Sequence, residues 1–342
     1  MKVFAYKNTI KDTLRSSSGG AFLGVVSAFW NSMGGTAVYG SAFDKDLKVA
    51  HRRVTELQDC YIFCGSKYVE SSLKGIYPDV ANDLDNGMSV IFTGTPCQVN
   101  ALNFFLSRKQ CNIERLLTID VICHGTPSAQ LWEDYKNWLE SKYHSRLIDY
   151  SFRYKGDGKK QRMKYPVRAC FENGEILEDT FLSRLYIELF FTELTYRDSC
   201  YSCKFSSSIR CSDITLADFW EYKPVMGKSI DRPELGMSMI LANTEKGECI
   251  VDAMCRDAQA NQDIYMEQVN NNRLLEVKKN FGAAQIKDES VKIFRDEYNS
   301  FGFEYILNKY AGNNLKGRLK HILKKAVLKT GLLPMVSELR GH

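Results

Sequence analysis

The alternation of apolar and polar positions divides the chain into short strand-like runs and amphipathic helical stretches. A small-residue loop, Ser16 to Gly20, leads into the apolar helical stretch AFLGVVSAFW. Strand-like segments follow near Thr36 to Phe43 and Leu47 to Val54, and Glu56 to Phe63 reads as helical. Ser89 to Thr93 is a short apolar strand, and Val99, Leu102, Phe105 and Leu106 recur behind it at helical spacing. The order then repeats. Leu116 to Ile122 reads as a strand, and Leu131, Tyr135, Trp138 and Leu139 mark a second helix that Ser128 can cap. A beta-alpha-beta-alpha order means adjacent parallel strands joined by right-handed crossovers.

Farther along, Asn173-Gly174 between VRACF and EILED has the form of a type I′ hairpin turn. Leu182, Leu185, Tyr186, Leu189 and Phe190 share one side of a helix. After it come Cys200 and Cys203, the strand ITLADFW, another strand at Ser238 to Ala242, and a helix ending near Ala258. The remainder reads as mainly helical. The expected fold is therefore α/β, a mixed sheet with parallel beta-alpha-beta units in a central domain and a helical C-terminal extension. The boundaries fall at residues 1–82, 83–255 and 256–342.

Composition narrows the function classes. With 342 residues, 44% hydrophobic and 25% charged, the chain matches an ordinary soluble globular protein. The longest apolar-rich stretch, Gly19 to Trp30, falls short of the about 20 residues that span a bilayer. The first fifteen residues carry no secretory h-region, so a cytoplasmic location is expected. The net charge of +5 is concentrated in the last helix. Lys316, Arg318, Lys320, Lys324, Lys325, Lys329 and Arg340 oppose Glu338 alone, which leaves the rest of the chain close to neutral. A nucleic-acid partner would call for a basic face on the main fold and is not expected. Leu315, Leu319, Ile322, Leu323, Ala326 and Val327 form an apolar stripe on that tail. The expected arrangement is a terminal helix docked by this stripe with its basic face solvated. Peripheral membrane contact through residues 315–329 is the alternative.

Eleven cysteines, an odd count, favour a reducing compartment over a disulfide scaffold. Two of them occupy equivalent places. Cys97 follows SVIFTGTP, and Cys123 follows LLTIDVI with a second Gly-Thr-Pro, residues 125–127, just behind it. Both thiols belong at strand-to-helix turns on one edge of a parallel sheet, where open sheets place ligands and helix dipoles favour thiolates. Cys200-Tyr-Ser-Cys203 adds a C-x-x-C whose bite suits a shared metal or cluster edge. Four thiolates select zinc or an iron-sulfur cluster. Cys60-x-x-x-Cys64 with Cys200 and Cys203 is a rival zinc staple, Cys211 lies close by, and spacing alone favours neither metal strongly. Cys111, Cys170, Cys249 and Cys255 read as packing residues.

Five strings now carry a resemblance: SSSGGAF at Ser16 to Phe22, GSKYVES at Gly65 to Ser71, FTGTPCQVNAL at Phe92 to Leu102, DVICHGTPS at Asp120 to Ser128, and CYSCKFSSSIRCSDITLADFW at Cys200 to Trp220. In this order they resemble the beta subunit family of coenzyme F420 hydrogenases and dehydrogenases, which includes 7-hydroxymethyl chlorophyll a reductase-like proteins. The resemblance covers most of residues 1 to 255. It implies an oxidoreductase that binds FAD beside one 4Fe-4S cluster and passes electrons between them, with coenzyme F420 as a candidate substrate. By motif, the cluster ligands would be Cys97, Cys123, Cys200 and Cys203. No C-x-x-C-x-x-C run of a ferredoxin-like module is present, so the electrons would come from or go to a separate, ferredoxin-like protein. Residues 1–82 become the flavin-contacting region and 83–255 the flavin and iron-sulfur domain.

Within that frame Ser18, Gly19 and Gly20 precede a helix whose first amides can bind a pyrophosphate. As a bare motif such a pair is more often a tight turn. Lys67 and Tyr68 could set a cation and a ring against the flavin, with a solvated lysine beside a core tyrosine as the plainer possibility. Thr95, in the first Gly-Thr-Pro, is assigned to cofactor contact. His124, next to a cluster ligand, is a candidate proton donor or a group that tunes the cluster, and Lys67 is the second catalytic candidate. Asp213, Asp218 and Trp220 read as structural support. The rival class is a zinc-stapled or cluster-bearing accessory protein in envelope polysaccharide synthesis, without its own redox turnover.

Overall fold

The computed structural model describes residues 2–156, 166–219, 222, 230–269 and 288–330; Trp220 and Arg340 lie outside them. They fall in two compact units, each assembled from separated stretches. One comprises Met1–Thr126, Lys155–Lys159 and Arg197–Gln285; the other comprises Pro127–Tyr154, Lys160–Tyr196 and Ile286–His342. Positions 82 and 255 both fall inside the first unit, because strands from the two ends of that stretch share one sheet.

The first unit begins with β1 (Lys2–Lys7), α1 (Ile10–Arg15), α2 (Ala21–Met33), β2 (Thr36–Phe43) and β3 (Val49–Val54). A 3-10 turn over Leu57–Phe63 precedes α3 (Ile76–Asp85), β4 (Ser89–Gly94), α4 (Pro96–Lys109) and β5 (Leu116–Val121). The second unit holds α5 (Ala129–Tyr143), β6 (Leu147–Ser151), β7 (Arg168–Phe171), β8 (Ile176–Glu178) and α6 (Phe181–Phe190). The chain returns to the first unit through α7 (Asp198–Tyr201), β9 (Ile214–Asp218), β10 (Ser238–Ala242), α8 (Glu245–Ala260) and β11 (Tyr265–Val269).

The eight strands of the first unit run in the order β11-β1-β10-β9-β5-β4-β2-β3. The four central strands β9, β5, β4 and β2 are mutually parallel, with antiparallel strands on both flanks. Parallel strands are buried on both faces, which explains the unbroken apolar runs SVIF and LLTI. On one face α2 and α8 lay Val25, Val26, Phe29, Val251 and Met254 against Ile91, Leu117, Ile119 and Ile240. On the other, Val80, Leu84, Val99, Leu102 and Leu106 of α3 and α4 cover Tyr39, Val90 and Phe92. Each such side chain, fully buried, contributes about 1.5–3 kcal/mol.

Four local readings change. The 265–269 stretch, expected to be helical, is a strand paired antiparallel with β1, because YMEQV finds an open sheet edge there. The hairpin after β7 forms, but through three residues, Glu172 to Gly174. Gly174 alone takes a left-handed φ of 88°, and Phe171 N–H donates to Glu175 O at 2.9 Å, a type I turn closed by a glycine bulge. Cys249 is exposed on α8 and packs nothing. The tail stripe is also not docked: Leu315, Leu319, Ile322 and Leu323 are exposed on the helix Leu315–Thr330.

The second unit has its own core, a mostly aromatic layer in which Trp132 of α5 lies 4.9 Å from Tyr150, 5.3 Å from Phe152 and 5.3 Å from Tyr186. Tyr135 and Tyr150 both donate their buried hydroxyls to the Ser183 carbonyl, which satisfies groups that would be costly to bury alone.

Candidate redox site at the strand ends

Because β9, β5, β4 and β2 are parallel, their C-terminal ends open on one edge of the sheet. Cys97 stands at that edge in the first turn of α4. Thr95 caps the helix, its hydroxyl 3.1 Å from Cys97 Sγ, while its N–H donates to Gln98 Oε1 at 2.9 Å. Pro96 opens the helix with φ already set. Cys123 follows β5 on extended backbone and does not start a helix. Gly125 takes a positive φ of 137° and α5 begins only at Ala129, so the dipole favours Cys97 alone. Cys200 lies in α7 and Cys203 just beyond it.

Cys123 feels the other three thiols. Burial pushes the Cys123 thiol up to about 12, and the neighbouring Cys97, Cys200 and Cys203 add to the rise while the Gly125 backbone opposes it. Among the described residues no three His, Cys, Asp or Glu side chains converge as a ready-made site for one ion. Cys211 stands close by, its thiol donating to the Pro96 carbonyl at 3.3 Å and raised by burial, with Asp120 and Cys97 adding to the rise and Arg210 opposing it. Cys60 is buried in the core under α2, and its own thiol neighbour is Cys64; neither registers with Cys200 or Cys203. His124 is exposed beside Cys123.

Charged residues that the sequence reading passed over hold this corner together. Arg210 sends Nη1 to the carbonyls of Phe205 (3.4 Å) and Ser207 (3.2 Å), Nη2 to the Val121 carbonyl (3.3 Å), and Nε to Thr215 Oγ1 (3.2 Å). Its Nη2 also lies 2.9 Å from Asp120 Oδ2, with the two side chains 3% and 0% exposed. Asp120 accepts no well-aligned hydrogen bond among the described residues, and burial holds its carboxyl above the usual range in spite of Arg210. Arg210 thus ties the loop after Cys203 to the strand end before Cys123. Arg197, next to α7, pairs with Glu70. Burial works against its charge, but Glu70, Cys200 and Cys97 hold the guanidinium above its ordinary value. His51 of β3 joins Ser71 Oγ (2.8 Å) to the Thr93 carbonyl (2.9 Å) and stacks on Phe92. Burial pushes it down to about 4, so the ring is neutral, with Nε2 donating to the carbonyl. Arg210, Asp120 and Glu70 all sit inside the strings quoted above; a charged residue amid SSSI or TIDVI was the available signal.

The second corner is built from the Ser16–Gly20 loop. Asn8 N–H donates to Gly19 O at 2.7 Å, and Ser18 Oγ donates to Met237 O at 2.6 Å. Buried Lys155, also missed, donates to Thr13 O at 3.0 Å and to Ser18 O. A Cβ on Gly19 would stand 2.3 Å from Tyr6 O and 2.6 Å from Ser238 N, so only glycine fits against β1 and β10. Gly20, at φ 83°, begins α2 without a side-chain cap, leaving first-turn amides open. Ser66 N–H donates to Ser17 Oγ at 2.6 Å, which brings the Lys67 and Tyr68 loop alongside. Lys67 Nζ donates to the carbonyls of Ile62 (3.1 Å) and Cys64 (2.9 Å). Burial lowers it to about 8, opposed only by the Cys64 thiol, with no carboxylate pairing it among the described residues. Asp213 bears out a structural role, accepting from Thr118 N–H, Thr118 Oγ1 and Thr244 Oγ1.

The fold is similar to that of a chain in the F420-reducing NiFe hydrogenase complex from Methanosarcina barkeri. The TM-score is 0.52 at 17% identity, over 89% of this chain and 94% of that one. At this identity the likeness speaks for the fold alone. No curated protein matches the chain. A sequence profile for the C-terminal part of the coenzyme F420 hydrogenase/dehydrogenase beta subunit matches residues 87–271, more than half of the chain and a span that includes Cys97, Cys123, Cys200 and Cys203. The chain belongs to the coenzyme F420 hydrogenase/dehydrogenase beta subunit family.

Proposed function

We propose that this redox protein is a flavin- and iron-sulfur-dependent oxidoreductase. What supports the reading is that Cys97, Cys200 and Cys203 all act on the buried Cys123 thiol at the sheet edge and that the family profile spans all four. A cluster differs from a lone ion in that each thiolate holds its own iron, so four thiols around a space suit it without meeting at a point. When bound, FAD would supply hydride exchange with a soluble substrate or a deazaflavin of the coenzyme F420 type, and a 4Fe-4S cluster would pass single electrons.

The chain's own residues provide the setting. The four cysteines would hold the cluster, and Thr95 places a hydroxyl on Cys97 Sγ, the kind of contact that would tune a cluster's potential. Ser18, Gly19 and Gly20 present backbone to a pyrophosphate at the start of α2. Lys67, a buried ammonium satisfied only by carbonyls, supplies the countercharge, since a buried cation is costly unless paired. Tyr68 follows it in the same loop, and His124 offers an exposed proton donor next to Cys123. Electrons are exchanged with a separate protein.

The test is anaerobic purification with metal and flavin counts. About four irons and a flavin per chain are expected; Cys123→Ser should lose iron, and Lys67→Gln should lose flavin while keeping iron. Stoichiometric zinc without iron overturns the reading.

A further inference from the structure

The helix Leu315–Thr330 reads LKGRLKHILKKAVLKT, with six lysines and arginines and no acidic residue. At about 100° per residue, positions 315, 319, 322, 323 and 326, all apolar, share one arc. The basic positions 316 and 320 border it on one side, 318 and 329 on the other. An amphipathic helix of a globular protein ordinarily turns such an arc into the core. Here Leu315 is 80% exposed, Leu319 60%, Ile322 61% and Leu323 65%. The contacts described for this helix are made by Arg318 and His321, with Ile322 at the edge of the arc lining the same cavity beside Phe181 and Leu182. The Arg318 guanidinium lies over the Phe181 ring at 5.7 Å, and His321 meets the same ring edge to face at 5.8 Å. The orientation is also set from behind, because Gly317 lies so near the preceding turn that a Cβ would stand 1.9 Å from Gly312 O.

We propose that this helix is a docking surface for a bilayer rich in anionic phospholipid, lying along it with the leucine arc in the acyl boundary and the basic residues among the headgroups. Three observations single out that occupant. The apolar arc faces outward, with Leu315, Leu319, Ile322 and Leu323 all exposed. Cations border the arc on both sides, as a continuous sheet of negative charge requires and a single acidic groove does not. The helix has 16 residues, and no described helix is long and apolar enough to cross a membrane, so the contact runs along the surface. The proposal stands independently of the cofactors.

Flotation of the full-length protein with phosphatidylcholine vesicles, with and without phosphatidylglycerol, tests it. Binding is expected only to the phosphatidylglycerol vesicles and should be released at about 1 M salt, where the Debye length falls to about 3 Å. Leu319→Asp with Leu323→Asp should abolish flotation at an unchanged melting temperature, since both side chains are already exposed. Lys316→Gln with Lys320→Gln should weaken it about fivefold per lysine. No flotation, equal flotation with neutral vesicles, variants that float like the parent, or a protein dimer that the leucine variants break without any lipid binding would each overturn the proposal.

Discussion

Among the described residues each unit has one arginine with a buried side chain, and the two are used differently. Arg184, 8% exposed, pairs with Asp179 at 2.7 Å and Glu188 at 3.0 Å, all within ten residues around the first two turns of α6. Thr180 already caps that helix, so Arg184 reinforces an element that its neighbours specify. Arg210, 3% exposed, reaches across the sequence to Asp120 and the Val121 carbonyl. It decides which loop stands beside which strand end. A local tie strengthens a structure, whereas a distant one selects it, and the distant ones, the ion pairs of Arg210 and Arg197 and the Lys155 hydrogen bonds to backbone carbonyls, stand where the thiols and the glycine loop meet the sheet edge.

The most severe break in that comparison should come from Arg210→Met. It strands a buried carboxylate and is expected to cost about 3–5 kcal/mol, read from urea unfolding, together with loss of retained iron. Pairing it with Asp120→Leu should restore much of the stability but not the iron, which would separate position from energy. His51, a second long-range tie, sharpens the comparison through pH. Its folded value of about 4 lies below the ordinary 6.5. The unfolded chain therefore takes up the proton first, and the contribution is full above pH 6.5 and lost as pH falls towards 4. His51→Gln should flatten the acid limb of the stability profile by about 3 kcal/mol. The smallest effect belongs to Arg184→Met, about 1–2 kcal/mol, since Glu188 is half exposed and a cap remains. Iron content should not change.

What the sequence made legible follows the range of the forces involved. The parallel strands and α4 were readable because SVIF, LLTI and the Val99-Leu102-Leu106 spacing express burial locally. The places of Cys97 and Cys123 at the ends of β4 and β5 were readable because an apolar strand runs into each of them. The places that failed are those where a distant partner decides. YMEQV became a strand because β1 offered an edge. Cys123 lost its helix because the chain runs on, extended, to Ala129. The tail's leucines faced outward because Phe181 took the basic side. Asp120 with Arg210 and Lys155 with Ser18 left no periodic trace at all.

The threading of β1 between β10 and β11 has a consequence for synthesis. Ser18 bonds a carbonyl 219 positions away, so the glycine loop cannot settle while the chain is still emerging, although Cys97 and Cys123 are already out. Contacts of such span slow folding and expose unfinished edges. During that interval the nascent protein offers Cys97 and Cys123 without Cys200 and Cys203, so on the proposed reading a cluster would be loaded only once the last strands are in place.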